Sequence, residues 1–215
     1  MSAGGDTGMR YMTPDEIRAA AEEAHLCGKK LSAHSYGNES SRVGIENGVD
    51  TLEHGTFLSK DPELIDMMVE RKIFWVPTLS VTMPPVENPK AMPEFYLRKR
   101  REAEDYAFKT FGMALQAGVC VAFGSDAGAL GAYHGNNAFE LELMVKAGMS
   151  HMDAIVSATK TASECCGIEH LTGTIEPGKS ADIIAMKGDP LSDISVLRKV
   201  SFVMKEGNVV KHETD

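Results

Sequence analysis

The chain has 215 residues, of which 43% are hydrophobic and 25% charged, and its net charge is −9. These are the values of a globular chain with a sizeable core, and they exclude a disordered one. The acidic balance, with no long Lys/Arg-rich tract, argues against a nucleic-acid partner or an anionic membrane surface.

Helix and strand signals alternate along the chain. Thr13-Pro14-Asp15-Glu16 is a capping box with proline at the first helical position. Ile17, Ala20, Ala21, Ala24 and Cys27 follow on one apolar face, and Gly28 is the expected stop. Lys30 to Gly37 reads as a short strand, Ser41 to Asn47 as a short helix, and Asp50 to Gly55 as a second strand. Asp61-Pro62-Glu63 opens a helix with Leu64, Ile65, Met68 and Val69 on one side. Ile73 to Ser80 reads as a third strand, with Pro77 near its end. Met83 to Pro93 holds four prolines and is expected to be loop. A long helix is predicted from Glu94 to Ala117. Val119-Cys-Val-Ala-Phe-Gly124 is a strongly apolar strand of the kind covered on both faces in a parallel sheet. Further helices are predicted from Asn137 to Ala147 and from Ser150 to about Cys166.

Strands alternating with helices imply parallel pairing, in a (β/α) barrel or an open doubly wound sheet. No dinucleotide or P-loop glycine motif is present to favour a nucleotide-binding sheet. After Gly173 the texture becomes turn-rich, with short strands at Ile183–Met186 and Val200–Met204 and a hairpin turn at Lys205–Asn208. We therefore divide the chain into an α/β body, 1–172, and a small C-terminal β segment, 173–215. A complete (β/α)₈ barrel needs about 250 residues. Four strands in 1–172 correspond to half of one, so the expected fold is α/β, a partial TIM-type barrel with a small terminal β segment.

The cysteines (Cys27, Cys120, Cys165 and Cys166) form no C-x-x-C pair. Buried, inert thiols and a cytoplasmic setting are the expectation. The first residues, Met1 to Asp6, have neither the basic nor the apolar region of a signal peptide. No apolar run approaches the ~20 residues that span a bilayer.

Three polar residues stand at the C-terminal ends of predicted strands: His34, His54 and Asp126. In a barrel these ends converge on one mouth, where active sites form. Two imidazoles and a carboxylate suit Zn²⁺, Mn²⁺, Fe²⁺ or Co²⁺. Each residue alone is as readily structural; their shared height on three of four strands is what suggests a metal site. The glycines that follow them (Gly37, Gly55 and Gly128) are expected to leave room for a metal or substrate. Tyr36 is placed to donate to a carbonyl oxygen, and His134 lies in the loop after the fourth strand. Glu53 is expected to alternate away from the barrel axis and make a structural hydrogen bond. His25, His151, His170 and His212 read as ordinary surface residues, and the Arg98-Lys-Arg-Arg101 run as a solvated helix face.

The sequence also resembles a known family. Ser32-Ala-His-Ser-Tyr-Gly37, Gly48-Val-Asp-Thr-Leu-Glu-His-Gly-Thr56, Val76-Pro-Thr-Leu79 and Gly124-Ser-Asp-Ala-Gly128 are similar to segments of the metal-dependent amidohydrolases. Thr172-Gly-Thr-Ile-Glu-Pro-Gly-Lys-Ser-Ala-Asp182 and Gly188-Asp-Pro-Leu191 match in the tail. The likeness is greatest to the imidazolonepropionase-like and Xaa-Pro dipeptidase-like branch, and it covers the C-terminal half of such a protein, barrel strands 5 to 8.

The resemblance implies that His34 and His54 bind a divalent metal, zinc foremost, and that Asp126 both binds metal and shuttles the proton. It implies hydrolysis of amide, peptide or cyclic-amide bonds in a small-molecule or dipeptide substrate, with His134 contacting it. The family's strand-1 His-x-His is missing, and the first lysine, Lys29, lies in a turn rather than at the position of the bridging lysine. Met1 to Gly5 resembles the family's segment just after that lysine. The alternatives are a non-catalytic fragment, or one half of a two-chain assembly. An open half-barrel is expected to self-associate or to pair with a missing N-terminal half.

Overall fold

A computed structural model describes residues 8–83, 93–129 and 132–213. The proline-rich segment expected to be loop, the glycines of Met1 to Gly5, and residues 130–131 of the loop after the fourth strand lie outside the described residues, wholly or in large part.

The body alternates helix and strand as expected. Helix α1 spans Pro14–Leu26, and its capping box forms: the Thr13 hydroxyl accepts from the Glu16 N–H while the Glu16 carboxylate accepts from the Thr13 N–H. There follow β1 (Ser32–Ser35), α2 (Asn38–Glu46), β2 (Thr51–His54), α3 (Glu63–Glu70) and β3 (Phe74–Val76). Next come a four-residue helix α4 (Leu79–Thr82), the long α5 (Glu94–Ala117), β4 (Cys120–Val121) and α6 (Phe139–Lys146). One continuous helical stretch then carries α7 (His151–Val156), a π-helical turn and α8 (Ala162–Cys166), and ends on Gly167 in the left-handed conformation. The tail forms a three-stranded antiparallel sheet of β5 (Ile183–Met186), β6 (Val200–Lys205) and β7 (Asn208–His212).

The four body strands form one parallel sheet in sequence order. Register decides which side chains share a face. Ser32 and His34 align with Thr51 and Glu53, and these with Phe74 and Val76. The opposite face carries Leu52, Trp75 and Val121, all buried against the helices in a cluster with Ile45, Leu64, Met68 and Phe111. The face of Ser32, His34 and Cys120 is open, and these three residues are exposed on it. Helix α8 closes the start of that face over β1 and β2. Cys165 Sγ lies 3.5 Å from Thr51 Oγ1, and Lys30 Nζ, just before β1, donates to the Glu164 carbonyl.

Several expectations are corrected. The third strand ends at Val76 rather than Ser80, because Pro77 lacks an N–H and Thr78 turns the chain at φ 48°. The fourth is two residues long, and its Cys120 is exposed because nothing among the described residues covers that edge of the open face. Helix α2 begins three residues earlier than expected, at Asn38. Three of the four cysteines are exposed, and only Cys165 is part-buried. Burial holds the Cys165 thiol above its ordinary range, so it stays protonated. The basic run on α5 is not wholly solvated either, since Lys99 is buried and Arg100 pairs with Glu104 at 2.8 Å. No helix among the described residues is long and apolar enough to cross a membrane.

Candidate functional site

His34 is the third residue of β1 and His54 the last of β2. They are not register partners, because His34 is aligned with Glu53. Strict alternation would send His54 to the helix-covered side. The backbone prevents this: His54 has φ 70°, a left-handed conformation unusual for a residue with a side chain. The turned ring brings Nε2 to 2.8 Å from His34 Nδ1, while His54 Nδ1 lies 2.7 Å from Thr78 Oγ1. Trp75 Nε1 donates to the His54 carbonyl at 2.9 Å and holds the turn from below.

The two rings form an aromatic corner with Tyr36. Its ring stacks on His54 with 4.6 Å between centroids and meets His34 edge-on at 5.4 Å. Burial first, and the His34 imidazole second, pull the His54 pKa down to about 4. His54 is therefore neutral at neutral pH. In the tautomer whose Nδ1–H donates to Thr78, its Nε2 keeps a lone pair directed at His34. A neutral ring with its other nitrogen anchored is the form in which histidine ligates a metal.

Glu53, expected to point away from the barrel axis, instead shares the open face with His34. His54 is the residue that breaks alternation, which is why counting by twos fails here. The expected structural hydrogen bond is present: Ser32 Oγ donates to Glu53 Oε1 at 2.7 Å. Burial holds the Glu53 carboxyl above the usual carboxylate range. The Ser32 bond opposes that shift, and the nearby charge of Asp126 adds to it.

Asp126 follows β4 on an exposed left-handed turn, φ 49°. It is close enough to act electrostatically on Glu53. Among the described residues, however, no three His, Cys, Asp or Glu side chains converge as a metal-binding group. Thus the structure joins His34, His54 and Tyr36, and leaves Asp126 as a neighbour outside that contact. His134 is exposed and folds back toward the same turn, where a Cβ on Gly128 would stand 3.4 Å from its Nε2.

The glycines after the strands do not chiefly make room for a ligand. A Cβ on Gly55 would come within 2.9 Å of both Trp75 Nε1 and Leu58 Cδ1, and one on Gly37 within 2.4 Å of the Gly8 backbone. Both spaces are filled by the protein itself. A cleft of about 460 Å³ opens along the free edge of β1, with Met9, Tyr11, Met12, Leu31, His34 and Tyr36 among its walls. Asp126 and His134 are not part of that lining.

Two residues that matter to this geometry escape sequence reasoning. Thr78 stands within Val76-Pro-Thr-Leu79 with no role of its own assigned. The signal for it is that it lies just past the end of β3, as His34 and His54 lie near the ends of β1 and β2. Glu140, an acid on the buried side of α6, carries no sequence signal at all.

Residues 2–210 match the model of the amidohydrolase family. The chain belongs to that family. It is 31% identical to the ochratoxinase of Aspergillus niger over 98% of its own length and 44% of the relative's. Its fold superposes on a Xaa-Pro dipeptidase crystallised with bound methionine, with 37% identity and a TM-score of 0.86 over 95% of this chain and 50% of that one. A prolidase crystallised with N-methylphosphonate-L-proline gives 29% identity and a TM-score of 0.84 over 94% and 50%. The chain thus spans about half the length of the relatives it matches. Its four parallel strands, helices and small terminal sheet are the expected partial α/β barrel of this family.

Proposed function

We propose that this chain carries the metal-binding and proton-transfer half of a hydrolase acting on carbon–nitrogen bonds in dipeptides, N-acyl amino acids or cyclic amides. The observation that supports this most is the 2.8 Å approach of His34 Nδ1 and His54 Nε2 at the ends of adjacent parallel strands. Two imidazoles so placed, one of them held neutral, are half of a typical zinc donor set. Asp126, on the turn after β4, is the proposed third ligand.

A bound divalent cation, zinc foremost, would polarise the scissile carbonyl and lower the pKa of a water toward ~7. The remaining work falls to the chain. The Asp126 carboxylate accepts a proton as the water oxygen bonds to the carbonyl carbon, and returns it to the nitrogen as the C–N bond breaks. Tyr36, fixed by stacking on His54, presents its hydroxyl to the substrate, and His134 closes on it from the loop beyond Asp126. Hydrolysis of such substrates by metal-loaded protein, abolished in Asp126→Ala with the fold intact, tests this reading.

A second reading has its own support. No three donors converge among the described residues, and the sheet face that carries His34 is open. On that reading the chain supplies part of a centre whose other ligands come from a second polypeptide or a further segment. Metal that binds and activity that appears only on adding such a partner would favour it.

A further inference from the structure

Glu140 is the second residue of α6 and is fully buried. Both of its carboxylate oxygens are engaged by backbone. Oε1 accepts from the Leu79 N–H at 2.8 Å and Oε2 from the Ser80 N–H at 2.6 Å. These are the first two residues of α4, directly after Thr78. Thr78 is itself buried and β-branched, yet lies at φ 48° and ψ 48°, a conformation such residues adopt only when their surroundings impose it. Its hydroxyl is the group that meets His54 Nδ1. The same turn reaches the fourth strand, because Ser80 Oγ donates to the carbonyl of Ser125, the residue before Asp126.

Each carboxyl oxygen satisfies one N–H of the turn, and at this buried position neither donor has water to fall back on. One carboxylate on α6 thus fixes a strained turn whose two ends touch His54 and the backbone beside Asp126. Nothing in the proposed chemistry uses Glu140 directly, and among the described residues its hydrogen bonds go to that turn.

We propose that Glu140 is a positioning residue for the candidate centre, setting the His54 ring through Thr78 and the Asp126 turn through Ser80. The proposal rests on the metal-centre reading for its consequence, but not for its geometry. The alternative is that Glu140 merely packs α6 against α4.

Two readouts on the full-length chain separate these. The first is the ¹⁵N resonances of the His54 ring, and the second is the affinity for Co²⁺, titrated as a spectroscopic probe. Glu140→Gln, which puts an amide where two N–H groups need acceptors, is expected to shift the His54 Nδ1 signal toward its position in Thr78→Val. It is also expected to weaken Co²⁺ binding about 10- to 100-fold, the usual effect of losing a partner that orients a ligand. In the double variant the His54 ring signals should stay where Thr78→Val alone puts them, since both changes reach the ring through one contact. Should Glu140→Gln not fold, Glu140→Asp withdraws the carboxylate by one methylene and should move both readouts in the same direction. Unchanged ring signals and Co²⁺ affinity in a variant with lowered thermal stability would overturn the proposal, as would fully additive effects on the ring signals. A wild-type chain that binds no Co²⁺ would count against the metal centre instead. The His54 signals would then decide the positioning role by themselves.

Discussion

Trp75 and His54 are joined across β2 and β3 by a single bond, indole Nε1–H to the His54 carbonyl at 2.9 Å. It makes the bulkiest fully buried side chain among the described residues a support for a histidine held in the left-handed conformation. The indole is 1% exposed, so its donor has no water to fall back on. The carbonyl it holds belongs to the residue whose φ of 70° turns the ring toward His34.

Trp75→Phe should therefore do more than trim the core. Loss of the donor is expected to cost about 1–2 kcal/mol, beyond any packing loss, and to loosen the His34–His54 contact. Thermal unfolding reads the first effect, and histidine ring resonances read the second. A variant as stable as wild type, with unshifted ring signals, would show that the turn is held by other means.

Gly55→Ala addresses the same support from the other side. Gly55 has φ 57°, and an added methyl would meet Trp75 and Leu58 at 2.9 Å. Left-handed strain and overpacking together predict a loss of about 2 kcal/mol or more. Gly135→Ala, with φ 85° but open space around the added methyl, should lose only the strain part. Chemical denaturation of the pair checks the difference.

The placement of His34 and His54 near the ends of β1 and β2 was legible in the sequence, because each stands late in a short strand-like stretch closed by glycine, whereas Asp126 lies beyond β4 on a turn of its own. The contact between the two histidines was not legible. It depends on a left-handed residue: counting by twos allows only one of Glu53 and His54 on the open face, and the turn at His54 brings both there. Thr78 and Glu140 were harder still. Their link is a carboxylate reaching a backbone turn 61 residues away in the chain, which no local pattern encodes. Strand lengths erred for a related reason: apolar content marked Val119 to Gly124, whereas ladder pairing with β3 extends only over Cys120 and Val121.

The pKa of His54 gives a pH prediction with a definite sign. Its folded value, about 4, lies below its ordinary value near 6.5. The unfolded chain therefore takes up a proton first as pH falls, and stability should drop between about pH 6.5 and 4. Over that window the contribution is about 2–3 kcal/mol, and it should be missing from His54→Gln. Unfolding curves of the two proteins at several pH values give the difference. A flat difference would mean that the ring is protonated as easily in the fold as out of it.

Glu140 works in the opposite direction. Burial raises its pKa to about 7 against the pull of its backbone and Ser80 hydrogen bonds. The unfolded chain then gives up the proton first as pH rises from about 4.5 to 7. Glu140's contribution is thus fully present at low pH and lost over that window, on the order of 1–3 kcal/mol. Relative to Glu140→Gln, wild type should lose stability as pH is raised from 5 to 8. A flat difference over that range would mean that the carboxylate is ionised throughout, held by its hydrogen bonds to Leu79 and Ser80.

The most direct test of the account is the metal content of the chain, measured by plasma mass spectrometry on protein purified without chelator and sized in the same experiment. About one zinc-like ion per chain is expected, lost in His34→Ala and in His54→Ala while the far-ultraviolet circular dichroism is unchanged. Metal-free wild-type protein that also fails to take up added Zn²⁺ or Co²⁺ would contradict it, and would leave the His34–His54 contact as a hydrogen bond between two structural residues.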